Sequence, residues 1–236
     1  AGGGIDVIAR TLSAEADATL ELGSEAVQID AESRKVVLAD GRSIRYDALI
    51  STLPLDVLLA RTRGLDDGWR GGLAGRLEAT AVVELQLGVG RPGAGGGVHW
   101  IYAPEPRLPF YRVGLPSNVC PAMAPEGCSS LSVELSAPTG AELPPARELL
   151  DRVRPGLEEM GLLRADDRVL LARADRIDPA YVIFDRLRTP LVEQAHRALA
   201  TAGIRSIGRF GGWTYSSMET ALREGIDAGR GVLAGT

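Results

Sequence analysis

Residues 207–235 read IGRFGGWTYSSMETALREGIDAGRGVLAG, and how this stretch is parsed decides the fold. Two apolar residues, Ile204 and Ile207, lead into Gly208 and Arg209, and an aromatic loop follows with Phe210, Trp213 and Tyr215. Ser216 and Glu219 then fit the S-x-x-E capping box, in which a hydroxyl and a carboxylate each satisfy a backbone N–H that has no helical partner. A helix is therefore expected to begin near Ser217. Met218, Ala221, Leu222, Gly225, Ile226, Gly229 and Val232 recur at steps of three and four, so one face of it is apolar. Much of that face is small: Ala221, Gly225 and Gly229 would admit another backbone or a flat ring, although each helical Gly costs about 1 kcal/mol relative to Ala. The helix start also offers free N–H groups and partial positive charge to an electron-rich ligand.

Working outward, short strands are expected near the other end of the chain, at residues 18–22, 26–29, 35–38 and 43–46. The last two are joined at the hairpin signal Asp40-Gly41. Residues 48–53 form a continuous apolar run that ends at Pro54, the pattern of a strand buried on both faces.

These two separated segments resemble the superfamily of FAD-dependent amine oxidases, protoporphyrinogen oxidases and UDP-galactopyranose mutases. The resemblance implies FAD as cofactor. In that family a G-R or G-T loop meets the FAD diphosphate, which points to Gly208 and Arg209. A Y-x-x-M-[DE] helix start faces the flavin ring, so Met218, Glu219 and Thr220 would present backbone N–H groups to it, with Tyr215 near its reactive face. The first strand of the meander touches adenine through its backbone, here at Ala26 or Val27. The strand ending in T-x-P, here Thr52 to Pro54, passes near the cofactor. The glycines that bind the diphosphate would lie upstream of Ala1, so the resemblance covers a C-terminal half only. Gly88, Gly90 and Gly93 spell G-x-G-x-x-G, but Pro92 and a run of glycines follow instead of a helix, so they read as a hairpin loop.

The implied fold class is α/β (α+β): the tail of a Rossmann-like FAD domain with its β-meander, plus an inserted substrate domain of antiparallel sheet and helix. The boundaries implied are 1–64 and 191–236 for the FAD part and 65–190 for the insertion. Within the insertion, strands are expected at residues 80–87, 98–102, 108–115 and 129–135. A helix is expected over 146–160, kinked or divided at Pro155, and another over 190–202 with Thr189 as N-cap, Pro190 at its first position and Gly203 after its end. Tyr111 and Arg112 alternate with Phe110 and Val113, which gives one strand face polar groups for a substrate or for a carboxylate of the protein itself. The segment DPAYVIFDRLR, residues 178–188, is similar to a mutase segment whose tyrosine reaches the substrate phosphates. By that resemblance Tyr181 is a substrate contact, with Arg186 supporting it. Trp213 stands where the mutase form has a tyrosine and joins the substrate list.

The chain has 236 residues, 45% of them hydrophobic and 24% charged, with a formal charge of −5. An acidic chain with scattered arginines does not suit nucleic acid, whose phosphates need clustered cations. No apolar run is long enough to span a bilayer and no signal peptide is evident, so the cytoplasm is expected. Cys120 and Cys128 read as free thiols, His99 as structural and His196 as solvated; no set of ligands has metal spacing, and neither a G-x-S-x-G nor an H-E-x-x-H motif is present. The expected function is that of an FAD-dependent oxidoreductase taking a hydride from a small organic substrate, with the truncated chain inactive alone and its catalytic residues and oligomeric state open. The alternatives are a flavin mutase acting on a nucleotide sugar, and a binding domain without catalysis or FAD.

Overall fold

The computed structural model describes residues 4–65 and 74–234. In chain order the first elements are α1 (Asp6–Glu15), β1 (Ala26–Asp30), β2 (Lys35–Leu38), β3 (Ser43–Arg45), β4 (Leu49–Ser51), α2 (Leu55–Arg61) and β5 (Thr62–Arg63). The middle contains β6 (Ala79–Val89), β7 (Trp100–Tyr102), β8 (Arg112–Gly114), α3 (Pro116–Val119), β9 (Ser129–Pro138), α4 (Ala146–Glu159) and β10 (Val169–Val182). The chain closes with α5 (Arg188–Thr201), β11 (Ile204–Ser206), α6 (Gly208–Gly211) and α7 (Met218–Leu233). This mixture of sheets and helices is the α/β (α+β) class that the sequence suggests. By packing, the chain divides into two units, one joining Glu21–Ala79 to Tyr181–Thr236 and the other joining Ala1–Leu20 to Thr80–Ala180.

In the first of these units the order β3-β2-β1-β5 makes a four-stranded sheet, antiparallel except where β5 runs parallel to β1. Gly41, at φ +87°, supplies the left-handed residue that the Asp40-Gly41 turn needs. A second, two-stranded sheet pairs β4 with β11 in parallel, with Leu49 opposite Ile204 and Ser51 opposite Ser206. Gly203, at φ +72°, ends α5 and lets the chain turn straight into β11. Ile29, Leu55, Leu58, Leu59, Ala195, Leu199, Ile204 and Trp213 form the core.

In the second unit the order β10-β6-β9-β8-β7 makes one five-stranded sheet, with β6, β9, β8 and β7 antiparallel. Alternation sets its faces: Val83, Leu85, Leu87 and Val89 point inward with Leu131, Val133 and Leu135. Leu149, Val153 and Leu157 of α4 belong to the same core, each such burial contributing about 1.5–3 kcal/mol. At the rim, Arg91 grips Asp167 with two bonds of 2.7 and 2.9 Å, and the Arg164 N–H adds a third at 2.9 Å. The Arg91 guanidinium holds the Asp167 carboxyl below its ordinary value near 3.8. Since the folded value lies below the unfolded one, the pair contributes stability above the unfolded pKa, and that contribution fades as pH falls through the folded one. Asp167→Asn is therefore expected to cost about 1–3 kcal/mol at neutral pH and progressively less in acid. Urea melts at several pH values check this, and a cost that stays constant into acid contradicts it.

Several expectations need correction. Residues 18–22 form no strand, and Leu20 and Leu22 are exposed. Ile50 of β4 is 39% exposed, so that strand is not covered on both faces. Pro155 does not divide α4, because one helix runs through it, and Gly156 packs closely against Leu108 and Phe110. The N-cap of α5 is Leu187 rather than Thr189, and the Asp185 carboxylate just before it accepts the Leu187 and Arg188 N–H groups. Cys120 and Cys128 are free thiols, and among the described residues no cluster has the makings of a metal site. No described helix is long and apolar enough to cross a membrane.

Candidate functional site

The parallel pair β4 and β11 carries both of its strands to one end, where Ser51 C=O accepts the Ile207 N–H at 2.9 Å. Ligands of open parallel sheets bind beyond the carboxyl ends of their strands. Beyond these two ends lie Thr52, exposed, and Pro54 on one strand, and Gly208–Gly211 of α6 on the other. The approach is close: a Cβ added to Gly211 would stand 2.8 Å from Ser206 Oγ and 3.4 Å from the carbonyls of Ser51 and Leu53. Ser206 Oγ donates to Gly211 C=O at 3.0 Å, and His196 Nε2 reaches the same oxygen at 3.0 Å, so His196 is tied down rather than solvated.

Gly208 opens α6 at φ +81°, a conformation that favours glycine, and its N–H donates to the Glu224 carboxylate at 2.6 Å. The next residue, Arg209, holds its guanidinium 5.1 Å from the Tyr181 ring, 5.5 Å from Tyr215 and 5.8 Å from Phe210. Tyr181 meets Tyr215 edge-on at 6.0 Å, and Phe184 stacks on Tyr215 at 5.1 Å. Arg188 lies 4.7 Å over Phe184 and donates to Trp213 C=O, and its burial lowers its pKa below the ordinary arginine value. Two cations and four rings thus share one partly exposed surface. Aromatic faces of this kind orient a guanidinium.

The structure brings Arg209, Tyr181 and Tyr215 together, and places the carbonyls of Ser51 and Leu53, on either side of Thr52, against Gly211. Other residues of the sequence reading stand differently. Trp213 is 1% exposed within the core, so it is withdrawn as a substrate contact. Arg186 is exposed and takes no part in the ring cluster. Ser217, not Ser216, caps α7, and its Oγ accepts the Thr220 N–H at 3.1 Å, so that amide is spent on the cap and withdrawn as a flavin donor. Glu219 pairs with Arg223 on the surface instead of closing a capping box, while Met218 and Glu219 remain exposed in the first turn. No described atom lies within 4 Å of a Cβ built on Gly225 or Gly229. In β1 the register steps from Ala26 opposite Leu38 to Gln28 opposite Val37, so the ladder passes over Val27 in a bulge. The Ala26 carbonyl accepts Arg61 at 2.6 Å.

In the other unit, Tyr111 OH donates to Glu134 at 2.7 Å, and Arg112 donates to the same carboxylate at 2.9 Å. Arg112 thus takes up the second of the partners its chemistry allows, a carboxylate of the protein. Sequence reasoning missed Arg188 and Glu224, because neither carries a motif and their partners are distant in the chain. A cavity of about 670 Å³ borders Leu49, Ile50, His196, Arg205, Ile207 and Val232, and its lining does not include Arg209, Tyr181 or Tyr215.

A family model described as flavin containing amine oxidoreductase matches residues 1–233. The chain belongs to that family. Flavin containing amine oxidoreductases carry a flavin, and a glycine turn at the ends of parallel strands, a bulged backbone at Val27 and an arginine among rings suit such a group. Among solved structures, a reduced UDP-galactopyranose mutase is 30% identical with a TM-score of 0.83, over 92% of this chain and 47% of that one. A putative protoporphyrinogen oxidase from Exiguobacterium sp. 255-15 has a TM-score of 0.74 at 10% identity, over 98% of this chain and 51% of that one. A CLA-producing fatty acid isomerase from P. acnes has a TM-score of 0.65 at 13% identity, over 97% of this chain and 51% of that one. The last two show the fold alone. This family member spans about half the length of each of these structures.

Proposed function

We propose that the protein is a flavin enzyme that acts on a nucleotide sugar in the manner of a mutase, with FAD as its flavin. The observation that carries this reading is the Arg209 guanidinium set among Tyr181, Tyr215 and Phe210 at the carboxyl ends of β4 and β11. The mutase likeness at 30% identity supports it. The flavin, when bound, supplies the electron-pair chemistry. The residues of this chain bind and orient: Arg209 attracts phosphate oxygens, the hydroxyls of Tyr181 and Tyr215 hydrogen-bond to them, and Val27 offers its backbone to an adenine edge. Thr52, Pro54, Met218 and Glu219 line the cofactor, and Gly208, its N–H held by Glu224, shapes the turn that presents Arg209. Tyr111 and Arg112 of the five-stranded unit are held by Glu134. The second reading, an oxidoreductase taking a hydride from a small organic substrate, is favoured by the family's description.

Purified protein carrying the full length that its structural relatives have is expected to show flavin absorbance, or to gain it with added FAD. In reduced form it is expected to interconvert the ring forms of a sugar nucleotide without net use of reductant. Net oxidation of an amine or porphyrinogen selects the second reading, and a failure to bind FAD at all overturns both.

A further inference from the structure

We infer that Glu224 is the positioning residue of the Gly208–Arg209 turn. Its carboxylate, on the second turn of α7, accepts the Gly208 N–H at 2.6 Å, a bond strengthened by the acceptor's charge. Glu224 joins no ion pair among the described residues, so this amide is the polar partner its carboxylate has found. Gly208 is the point where the choice of direction is made. Before it, Ile207 is fastened to Ser51 C=O, and after it Gly212 and Thr214 bond back to the carbonyls of Gly208 and Arg209 at 2.7 and 3.0 Å. A positive φ at Gly208 lies between these two fixed ends, and glycine itself adopts either sign of φ with similar ease. The bond to Glu224 holds the Ile207–Gly208 peptide plane, and the turn taken from that plane at φ +81° carries the Arg209 side chain to Tyr181 and Tyr215.

Without the carboxylate the turn has alternatives, and Arg209 leaves the rings for part of the time. Glu224 therefore acts through Arg209 and need not touch a ligand. Its role in cofactor binding rests on the function proposed above, whereas its role in shaping the turn does not.

The test uses the whole chain, with amide exchange and side-chain NMR of three variants. Glu224→Ala is expected to speed Gly208 amide exchange by about 10- to 100-fold, the range for losing a hydrogen bond to a charged group. The Arg209 Hε resonance, shifted by the surrounding rings, is expected to move toward its free-chain position. Glu224→Gln keeps an acceptor oxygen without the charge and is expected to lie between wild type and Glu224→Ala, which also serves if the alanine variant does not fold. Asp227→Asn removes a charge one turn along the same helix and is expected to leave both signals in place. Unchanged Gly208 exchange in the Glu224 variants overturns the inference, as does faster exchange with Arg209 left where it was. If Arg209 moves in these variants while Arg209→Gln binds FAD as tightly as wild type, the inference stands and the proposed cofactor role of the turn fails.

Discussion

Trp213→Ala is expected to cost about 3–5 kcal/mol, the usual range for emptying a buried aromatic site and a large share of the stability of a typical domain. The side chain is 1% exposed and shares a core with Ile29, Leu55, Leu58 and Leu199, so no loop can collapse into the space it leaves. Its indole N–H has no hydrogen-bond partner among the described residues, so the loss is one of packing. Two companions separate the causes. Trp213→Phe keeps much of the volume and gives up no hydrogen bond, and about 1–2 kcal/mol is expected. Trp213→Gly relieves the left-handed backbone at φ +45° but leaves a larger cavity, so it is expected to be no more stable than the alanine variant. Urea midpoints measure all three. If Trp213→Ala melts like wild type and weakens ligand binding instead, the ring belongs to a site and not to the core.

Arg209→Ala is expected to have the opposite profile, with catalytic efficiency falling by about 10²- to 10³-fold while stability changes by less than about 1 kcal/mol. The guanidinium sits over three rings at a partly exposed surface, where such contacts are individually weak. Its charge, however, is held where a phosphate or flavin oxygen would meet it, at the ends of the parallel strands. Arg209→Lys keeps the charge but loses the flat group that stacks on Tyr181, and only partial recovery is expected. Steady-state kinetics beside thermal melts decide the matter. A large fall in melting temperature with unchanged kcat/KM would make Arg209 structural.

The contrast between Trp213 and Arg209 shows what a linear reading captures. Both sit in the segment singled out first, and both are bulky, so residue type does not separate them. Arg209 follows directly from a strand end and a glycine turn, features written locally. The burial of Trp213 depends on α2, α5 and β1 closing around it, and on a positive φ that local preference argues against in a residue of this size. The capping error has a similar origin. Ser216 and Ser217 are both competent caps, and Glu219 makes the first look complete. The path that the loop takes after Trp213 decides which hydroxyl reaches a free amide.

By itself the sequence determined the strands with clear alternation, the hairpin at Asp40-Gly41, the end of α5 at Gly203 and the strand-turn-helix order around Gly208. These features arise from neighbours a few residues apart, where periodicity and backbone preference dominate. Only the tertiary structure decided that β4 lies beside β11, with the Leu53 carbonyl near Gly211, and that Tyr181, Phe184 and Arg188 gather around Arg209 and Tyr215. It also decided that Glu224 holds the Gly208 amide. Each of these joins parts of the chain that carry no local mark of one another. They meet because burying Leu55, Leu199, Ile204 and Trp213 in a common core leaves the strand ends, and the groups upon them, at one place.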